Sequence, residues 1–526
     1  MIDDTPSLKV LVYDGDDKDI KAGALDKIKQ AHNGDVQVYK FDDFLKLGQD
    51  NLVEPNHPQP DDIACLMYTS GSTGPPKGVQ ITNANIVACC GAVQSLIPHV
   101  IKEGETYIAY LPLAHIMEFA VEMCVMYVGA EVGYGNVKTL TDASVRVSRT
   151  QRSAHFTIIY ILLNGMQNCR GDIATLRPTI MVGVPAVWEL IRKGILAKVK
   201  AGGAIKSAVF NGAVSAKKFF GRGSIIGKVT DSVVFSAVAA GTGGRLKYAM
   251  SGGAGISKET QEFLSTALVM IIQGYGSTES TAMCALLPPE YHSYGTVGVP
   301  VPSVEIKLVD VADAGYSSKN STPQGEIWIR GPSVTKGYYK NDEETKAAYT
   351  DDGWFKTGDV GQWNPNGTLS VIDRKKNLVK LAGGEYIALE RLETIYRSSQ
   401  YVQNIMIYAT SEANKPMAVI FAHEANLKEL HSLAGNDAGD FEAVCKNKAV
   451  RDAVLKDLNA VGKKAGLKPL ETLQTVVVSS EEWTPANGLL TAAQKLQRKD
   501  LVKHYKKEID VSSPSRGSGR AQRLGG

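Results

Sequence analysis

A chain of 526 residues has room for two to four domains, or for one large α/β body with an appendage. Hydrophobic residues make up 44% and charged residues 21%, ordinary globular usage that excludes wholesale disorder. Fifty-eight basic against 55 acidic residues leave a net charge of +3, which argues against a nucleic-acid binder working through bulk charge. Seven cysteines without a CxxC pair argue against a disulfide framework or a zinc site, and for a reducing compartment. The acidic N-terminus, MIDDTPSLKV, lacks a signal-peptide core, and no apolar run approaches the ~20 residues of a membrane span. A soluble protein is expected, with peripheral membrane contact left open.

In chain order, Val10–Tyr13, Ile63–Tyr68, Thr106–Leu111, Thr179–Gly183, Leu246–Ser251 and Leu268–Gln273 read as short buried strands. Helical patterns such as Asn83–Leu96 and Lys258–Ala267 fall between them. The alternation predicts α/β layers on a largely parallel sheet. From Pro300 the pattern changes to alternating segments, Glu305–Val309, Gly325–Arg330 and Thr368–Ile372. Turns at Pro323-Gln324-Gly325 and Asn366-Gly367 make these antiparallel hairpins. A smaller α+β portion follows the basic stretch Arg374-Lys375-Lys376, with strands Asn404–Ala409 and Met417–Ala422 and helices through Ala465. The expected division is a large domain over 1–373, a small domain over 374–510, and a loose Ser/Gly/Arg tail over 511–526.

The strongest local signal is Tyr68-Thr69-Ser70-Gly71-Ser72-Thr73-Gly74-Pro75-Pro76-Lys77-Gly78. Glycines let backbone N–H groups curl around an anion, hydroxyls add short donors, and Lys77 adds a point charge. These are the parts of a triphosphate cradle. Pro76 and Gly78 break the Walker A pattern, so a P-loop NTPase is excluded.

This loop resembles the phosphate-binding loop of the adenylate-forming enzymes, the acyl-CoA synthetase and luciferase superfamily. Six further segments resemble the rest of that family's set, in order. They are Tyr110-Leu111-Pro112-Leu113-Ala114-His115, Ser251-Gly252-Gly253-Ala254, Gln273-Gly274-Tyr275-Gly276-Ser277-Thr278-Glu279, Trp354-Phe355-Lys356-Thr357-Gly358-Asp359, Asp373-Arg374-Lys375-Lys376-Asn377 and Gly488-Leu489-Leu490-Thr491-Ala492-Ala493-Gln494-Lys495. The run 352–377 and Val184-Pro185-Ala186-Val187-Trp188-Glu189 are similar to eukaryotic long-chain fatty acyl-CoA synthetases, most like fungal members.

The resemblance implies a large α/β adenylate-binding domain of stacked sheets and helices with a mobile α+β C-terminal domain. It implies a two-step reaction. A fatty-acid carboxylate attacks the α-phosphorus of ATP and expels pyrophosphate, and coenzyme A then displaces AMP from the acyl-adenylate. Thr69, Ser70, Gly71, Ser72, Thr73, Gly74 and Lys77 would hold the β- and γ-phosphates. Glu279 would hold Mg²⁺, a hard ion suited to a carboxylate. Tyr275 would stack on adenine beside Gly252, Gly253 and Ala254, and Gln273, Gly274, Gly276 and Thr278 belong to the same nucleotide-binding stretch. Asp359 would accept from the ribose hydroxyls, and Arg374 would contact ribose or phosphate. His115 would lie at the reacting carboxylate. Lys495 would stabilise the charge that develops in adenylation. Asp373 would be the hinge on which the small domain turns, withdrawing Lys495 and presenting Gly383, Gly384 and Glu385 to coenzyme A. Trp188 is placed either on the acyl tunnel or as a packed helix-start residue. The remaining histidines show no metal-ligand spacing.

Partners expected on this reading are a long-chain fatty acid, ATP and coenzyme A, with no nucleic acid. Localisation is expected to be intracellular, cytoplasmic or peripheral on endoplasmic reticulum, lipid droplet or peroxisome membranes. Oligomeric state and preferred chain length leave no readable trace.

Three stretches depart from the family pattern. Only 67 residues precede Tyr68, so an N-terminal subdomain is expected to be missing. Residues 147–167, VSRTQRSAHFTIIYILLNGMQ, have no recognisable counterpart. Val147-Ser148 can be encoded by GTNAGY and Gln167 by CAG, like splice sites, so a translated intron is expected there, against a species-specific surface loop. Val511-Ser512 repeats the pattern at the start of the tail. The alternatives to an active ligase are an inactive binding or scaffold protein, and another adenylate-former such as a luciferase-like or aryl-CoA ligase.

Overall fold

The computed structural model describes residues 5, 7–21, 23–30, 36–69, 76–137, 139–141, 170–433, 440–491 and 494–512. They fall into two compact units, drawn from residues 1–59 and 60–526. In the first, β1 (Val10–Tyr13) pairs in parallel with β2 (Gln37–Lys40), with helices Ala24–Gln30 and Phe41–Asp50.

The second unit opens with an antiparallel hairpin of β3 (Ile63–Thr69) and β4 (Lys77–Thr82). Its main sheet has seven strands: β5 (Thr106–Ala109), β6 (Glu131–Tyr134), β7 (Ile180–Gly183), β8 (Tyr248–Ser251), β9 (Ile271–Tyr275), β10 (Ala285–Leu286) and β11 (Val299–Pro300). Their order is β11-β10-β9-β8-β7-β5-β6. The five strands from β5 to β9 run parallel, and β10 and β11 are antiparallel. Parallel strands are covered on both faces, which is why β5 and β7 are buried at every position.

The expected parallel core is therefore present, with a correction at β1 and β3. Both were read as buried, yet β1 alternates half-buried with exposed, and in β3 only Met67 is buried. Each lies in a two-stranded sheet with a single neighbour, and an apolar run alone does not distinguish that position from a sheet centre. The partner β4 is the buried strand: Val79 and Ile81 pack with Met67, Ile116 and Tyr338.

Helices Asn83–Leu96 and Lys258–Ala267 form with the expected bounds. Thr82 caps the first, its Oγ1 accepting from Asn85 N at 3.2 Å while Asn85 Oδ1 accepts from Thr82 N at 3.0 Å. Ser257 caps the second by accepting from Thr260 N.

The antiparallel portion is a four-stranded sheet of β12 (Glu305–Val309), β13 (Gln324–Arg330), β14 (Phe355–Trp363) and β15 (Leu369–Arg374). The turn between β14 and β15 uses Gly367 at φ +78°, where Asn366 Oδ1 accepts from Thr368. Then come a hairpin of β16 (Leu378–Lys380) and β17 (Tyr386–Ala388), and a three-stranded sheet of β18 (Val402–Tyr408), β19 (Met417–Ala422) and β20 (Val476–Ser479). Two buried clusters serve this C-terminal portion, one around Leu392, Tyr396 and Ile420 and one around Trp483, Leu501 and Ile509. Residues 147–167, read as an insertion, lie outside the described residues, as do 513–526 of the expected tail. Val511 and Ser512 close helix Lys506–Ser512.

Candidate active site

The C-terminal edges of β8 and β9 carry the glycines, because backbone must come close there. A Cβ on Gly252 would meet Met117 Sδ at 2.8 Å, and one on Gly274 would meet Met250 and Met283 at 3.2 Å. A Cβ on Gly276 would collide with the Ala282 carbonyl. Gly253 turns the chain away at φ +78°, leading into Ala254.

These glycines line a polar cavity. Its wall brings together His115, Met117, Met250, Gly252, Gly253, Gly274, Gly276, Ser277, Thr278, Met283 and Lys495. Seven of those are residues singled out from sequence, drawn from positions 115 to 495. His115 caps helix Ile116–Tyr127, its Nδ1 accepting from Met117 N at 3.3 Å. Burial, and then the charge of Lys495, hold its pKa down at about 4. The ring is neutral at pH 7, with the proton on Nε2 because Nδ1 is an acceptor. Burial, and then Arg374, lower the pKa of Lys495, while Glu390, Asp359 and Glu279 oppose them. The loop carrying Lys495 is fixed locally: Lys495 N donates to Thr491 Oγ1 at 3.1 Å and Thr491 N to Lys495 O at 2.8 Å.

Asp359 stands on β14, where its Oδ2 accepts from Tyr275 OH at 2.7 Å and its Oδ1 lies 3.4 Å from Arg374 Nε. Burial raises the Asp359 carboxyl, and Arg374 pulls against it. Tyr275 is thus held by its hydroxyl at the end of β9. Glu279 sits in the short turn Thr278–Ser280, and its Oε1 accepts from Tyr338 OH at 2.8 Å. Lys77, first residue of β4, pairs with Glu344 and lies 5.1 Å from the Tyr338 ring centre. Thr69 ends β3 opposite Lys77, so the hairpin fixes both ends of the phosphate loop. Ser70, Gly71, Ser72, Thr73 and Gly74 lie outside the described residues.

Gln273 does not reach the cavity through its side chain: its Nε2 donates to Gln261 Oε1 at 3.0 Å, and strand alternation points it away from the face of Gly274. Trp188 is fully buried and donates to Gly183 O, a packed helix-start residue that lines neither cavity. Gly384 takes φ +91° in the β16–β17 turn, beside exposed Glu385. Asp373 is buried, and its Oδ2 accepts from Glu390 N at 3.0 Å and Arg391 N at 3.4 Å. Burial raises its pKa to about 7.

Against the polar cavity lies a second, apolar one. Met117, Met250, Ala282 and Met283 belong to both walls. Its interior runs past Val121, Val93, Ile97, Tyr248 and Leu286. Sequence reasoning missed this methionine wall, together with Tyr338, Glu344 and Glu390. None belongs to a patterned loop, and only the fold brings them to the site.

The donors present suit the ligands the resemblance implies. Glycines without Cβ leave room for a flat base and its phosphates, and the carboxylate of Glu279 is a hard oxygen donor. The described residues contain no cluster of three His, Cys, Asp or Glu able to hold a metal by itself. One carboxylate is what Mg²⁺ requires when nucleotide phosphates and waters supply the rest.

Residues 3–339 match the AMP-binding enzyme family. Long-chain-fatty-acid–CoA ligase 2 of Schizosaccharomyces pombe is 44% identical over 484 residues, 90% of this chain and 67% of that protein. Long-chain-fatty-acid–CoA ligase 4 of Saccharomyces cerevisiae is 42% identical over 491 residues, 93% of this chain and 67% of that protein. The crystal structure of a carboxylate reductase adenylation domain from Mycobacterium chelonae is similar at TM-score 0.73 and 26% identity, covering 97% of this chain and 70% of that one. The chain belongs to the AMP-binding enzyme family, on its long-chain-fatty-acid–CoA ligase branch.

Proposed function

We propose that this chain is a long-chain fatty acid:CoA ligase, which activates the carboxylate with ATP and passes the acyl group to coenzyme A. The carrying observation is the pair of cavities that share a methionine wall. The apolar one has no polar lining side chain except the Tyr248 hydroxyl and two thiols. The polar one beyond the wall holds Lys495 and His115. A fatty acid laid across the wall puts its tail in the first and its carboxylate in the second.

Adenylation brings a carboxylate to a polyanion, so the protein must neutralise charge and fix geometry. Lys495 supplies the cation at the carboxylate and α-phosphate. Neutral His115 offers its Nε2–H to the carboxylate without adding a second charge. Tyr275, clamped by Asp359, presents its ring to adenine, and Arg374 is placed for ribose or phosphate. The 69–77 hairpin ends hold the loop for the β- and γ-phosphates, and Glu279 would hold the Mg²⁺ that offsets phosphate charge when bound. Asp373 serves as hinge, with Gly384 on the coenzyme A side.

Purified, monodisperse protein should release pyrophosphate from ATP only when palmitate is added, and form palmitoyl-CoA when coenzyme A follows. Folded protein that releases none would support the scaffold reading. Equal turnover of an aryl acid would favour an aryl-CoA ligase.

A second observation supports peripheral residence on a membrane such as endoplasmic reticulum, lipid droplet or peroxisome. No described helix is long and apolar enough to cross one. On either side of the turn between helices Gly203–Phe220 and Ile225–Thr230, Phe219, Phe220, Ile225 and Val229 are exposed, with exposed Lys228 beside Val229 and Lys218, paired with Glu262, beside Phe219. Apolar tips among lysines suit an anionic interface. The protein should co-sediment with vesicles of phosphatidylcholine and phosphatidylserine, and Phe219→Ser with Ile225→Ser should release it. Binding that survives both substitutions would overturn this reading.

A further inference from the structure

The helix Leu389–Tyr396 is held at both ends by residues outside the C-terminal clusters. At its start, Asp373 Oδ2 accepts from Glu390 N and Arg391 N, as described. At its finish, helix Pro185–Ala201 of the large body delivers two cations. Arg192 donates from NH1 to Ser398 O at 3.2 Å, and Lys193 donates to the carbonyls of Val402 and Arg397. Arg397 and Ser398 follow the last turn of the 389–396 helix, its negative dipole end, and Val402 opens β18.

Both cations are built into place. Arg192 is buried, and its other guanidinium nitrogen reaches Glu259 at 3.1 Å and its NH1 lies 3.6 Å from Glu189. Burial lowers the pKa of Lys193 to about 8. Two further ion pairs join the same surfaces, Lys200–Glu429 and Lys464–Glu259, but all four partners are 40% exposed or more. Exposed pairs are screened by water and contribute little, so the more buried contacts carry the docking.

The same helix is wired to the catalytic lysine. Glu393 is buried and bonds Arg498 NH2 at 2.8 Å and Ile407 N at 2.7 Å. Arg498 stands three residues after Lys495 and also donates to Ile407 O at 2.8 Å. One short helix thus joins the large body, the hinge aspartate and the Lys495 loop.

We propose that Arg192 and Lys193 are positioning residues for adenylation: they latch the 389–396 helix and thereby hold Lys495 in the polar cavity. The inference rests on the ligase reading above. It separates the two half-reactions, since the second proceeds with Lys495 withdrawn and has no use for the latch.

The test uses the full chain with Arg192→Met and Lys193→Met together. Palmitate-dependent pyrophosphate release is measured in single turnover. Palmitoyl-CoA formation is measured separately from synthetic palmitoyl-adenylate and coenzyme A. The variant should lose about tenfold or more in the first step and change less than about twofold in the second. Lys193→Arg alone should recover most of the first step relative to Lys193→Met. Equal loss in both steps, or no loss in the first, overturns the proposal. If the double variant does not fold, Lys193→Met alone should show the same split, at about threefold. Lys495→Met is the control. If it keeps the first step, the ligase site reading itself fails. If it loses that step while the latch variant keeps it, only the latch fails.

Discussion

The polar and the apolar cavity share Met117, Met250, Ala282 and Met283 but are assembled on different principles. The polar cavity collects single residues from distant places: a helix cap at His115, strand-end glycines at 252, 274 and 276, and Lys495 from the C-terminal portion. The apolar cavity is built entirely from residues 89–286, on two neighbouring helices and the sheet beneath them. Charge placement therefore depends on how the C-terminal portion docks, whereas the apolar space proposed for the acyl chain does not. The chemistry and the chain-length preference should be separable by mutation.

The largest break is Lys495→Met. Removing one preorganised charge donor costs about 10²–10³ in rate. The apolar cavity keeps all its walls, so palmitate KM should stay within about threefold while kcat for adenylation falls by that factor. Stopped-flow pyrophosphate release reads both. A KM that rises as steeply as kcat falls would mean that the two cavities do not act independently.

Val121→Phe attacks the other side. Val121 is buried and lines the apolar cavity but not the polar one. Each methylene of chain that the larger ring excludes costs about 0.8 kcal/mol, roughly fourfold. The ratio of kcat/KM for palmitate over decanoate should fall by about tenfold or more, while decanoate itself is nearly unchanged. An unchanged ratio would place the acyl chain elsewhere.

The sequence foretold these two cavities unequally. Strong local signals were sufficient for some elements: the Thr82 and Ser257 caps open helices with the bounds that periodicity predicts. The motif glycines, His115 and Lys495 meet because a phosphate site needs residue types rare enough to be read. The apolar cavity left no such mark. Val93, Val121 and Met250 are ordinary core residues until the sheet and helices leave a void between them. The same blindness affects β3, whose apolar run forms the exposed strand of a hairpin with buried β4. Tyr338 was missed because a tyrosine holding a carboxylate carries no spacing rule. Gln273 was placed at the nucleotide through its motif, whereas strand alternation turns its side chain to Gln261.

The smallest effect on turnover is expected at Glu118, which follows Met117 on the shared wall but faces the core. It is fully buried, with Oε2 accepting from Tyr107 OH at 2.8 Å and Oε1 without a partner among the described residues. Burial raises its pKa from 4.5 to about 8, and Glu122 adds to the rise. In that interval the folded chain binds the proton and the unfolded chain does not. The stability this group contributes is therefore complete below pH 4.5, declines as pH rises, and is gone above about 8. Glu118→Gln keeps the shape and the acceptor for Tyr107 OH but cannot ionise. It should raise Tm by about 3–5 °C at pH 8.5 and by less than about 1 °C at pH 4.5. It should move adenylation by less than about twofold at either pH, since no wall of the polar cavity changes. A Tm gain that is the same at both pH values would show that Glu118 is already ionised in the folded chain. The core beneath helix Ile116–Tyr127 would then hold a buried charge against Tyr107 rather than a neutral carboxyl.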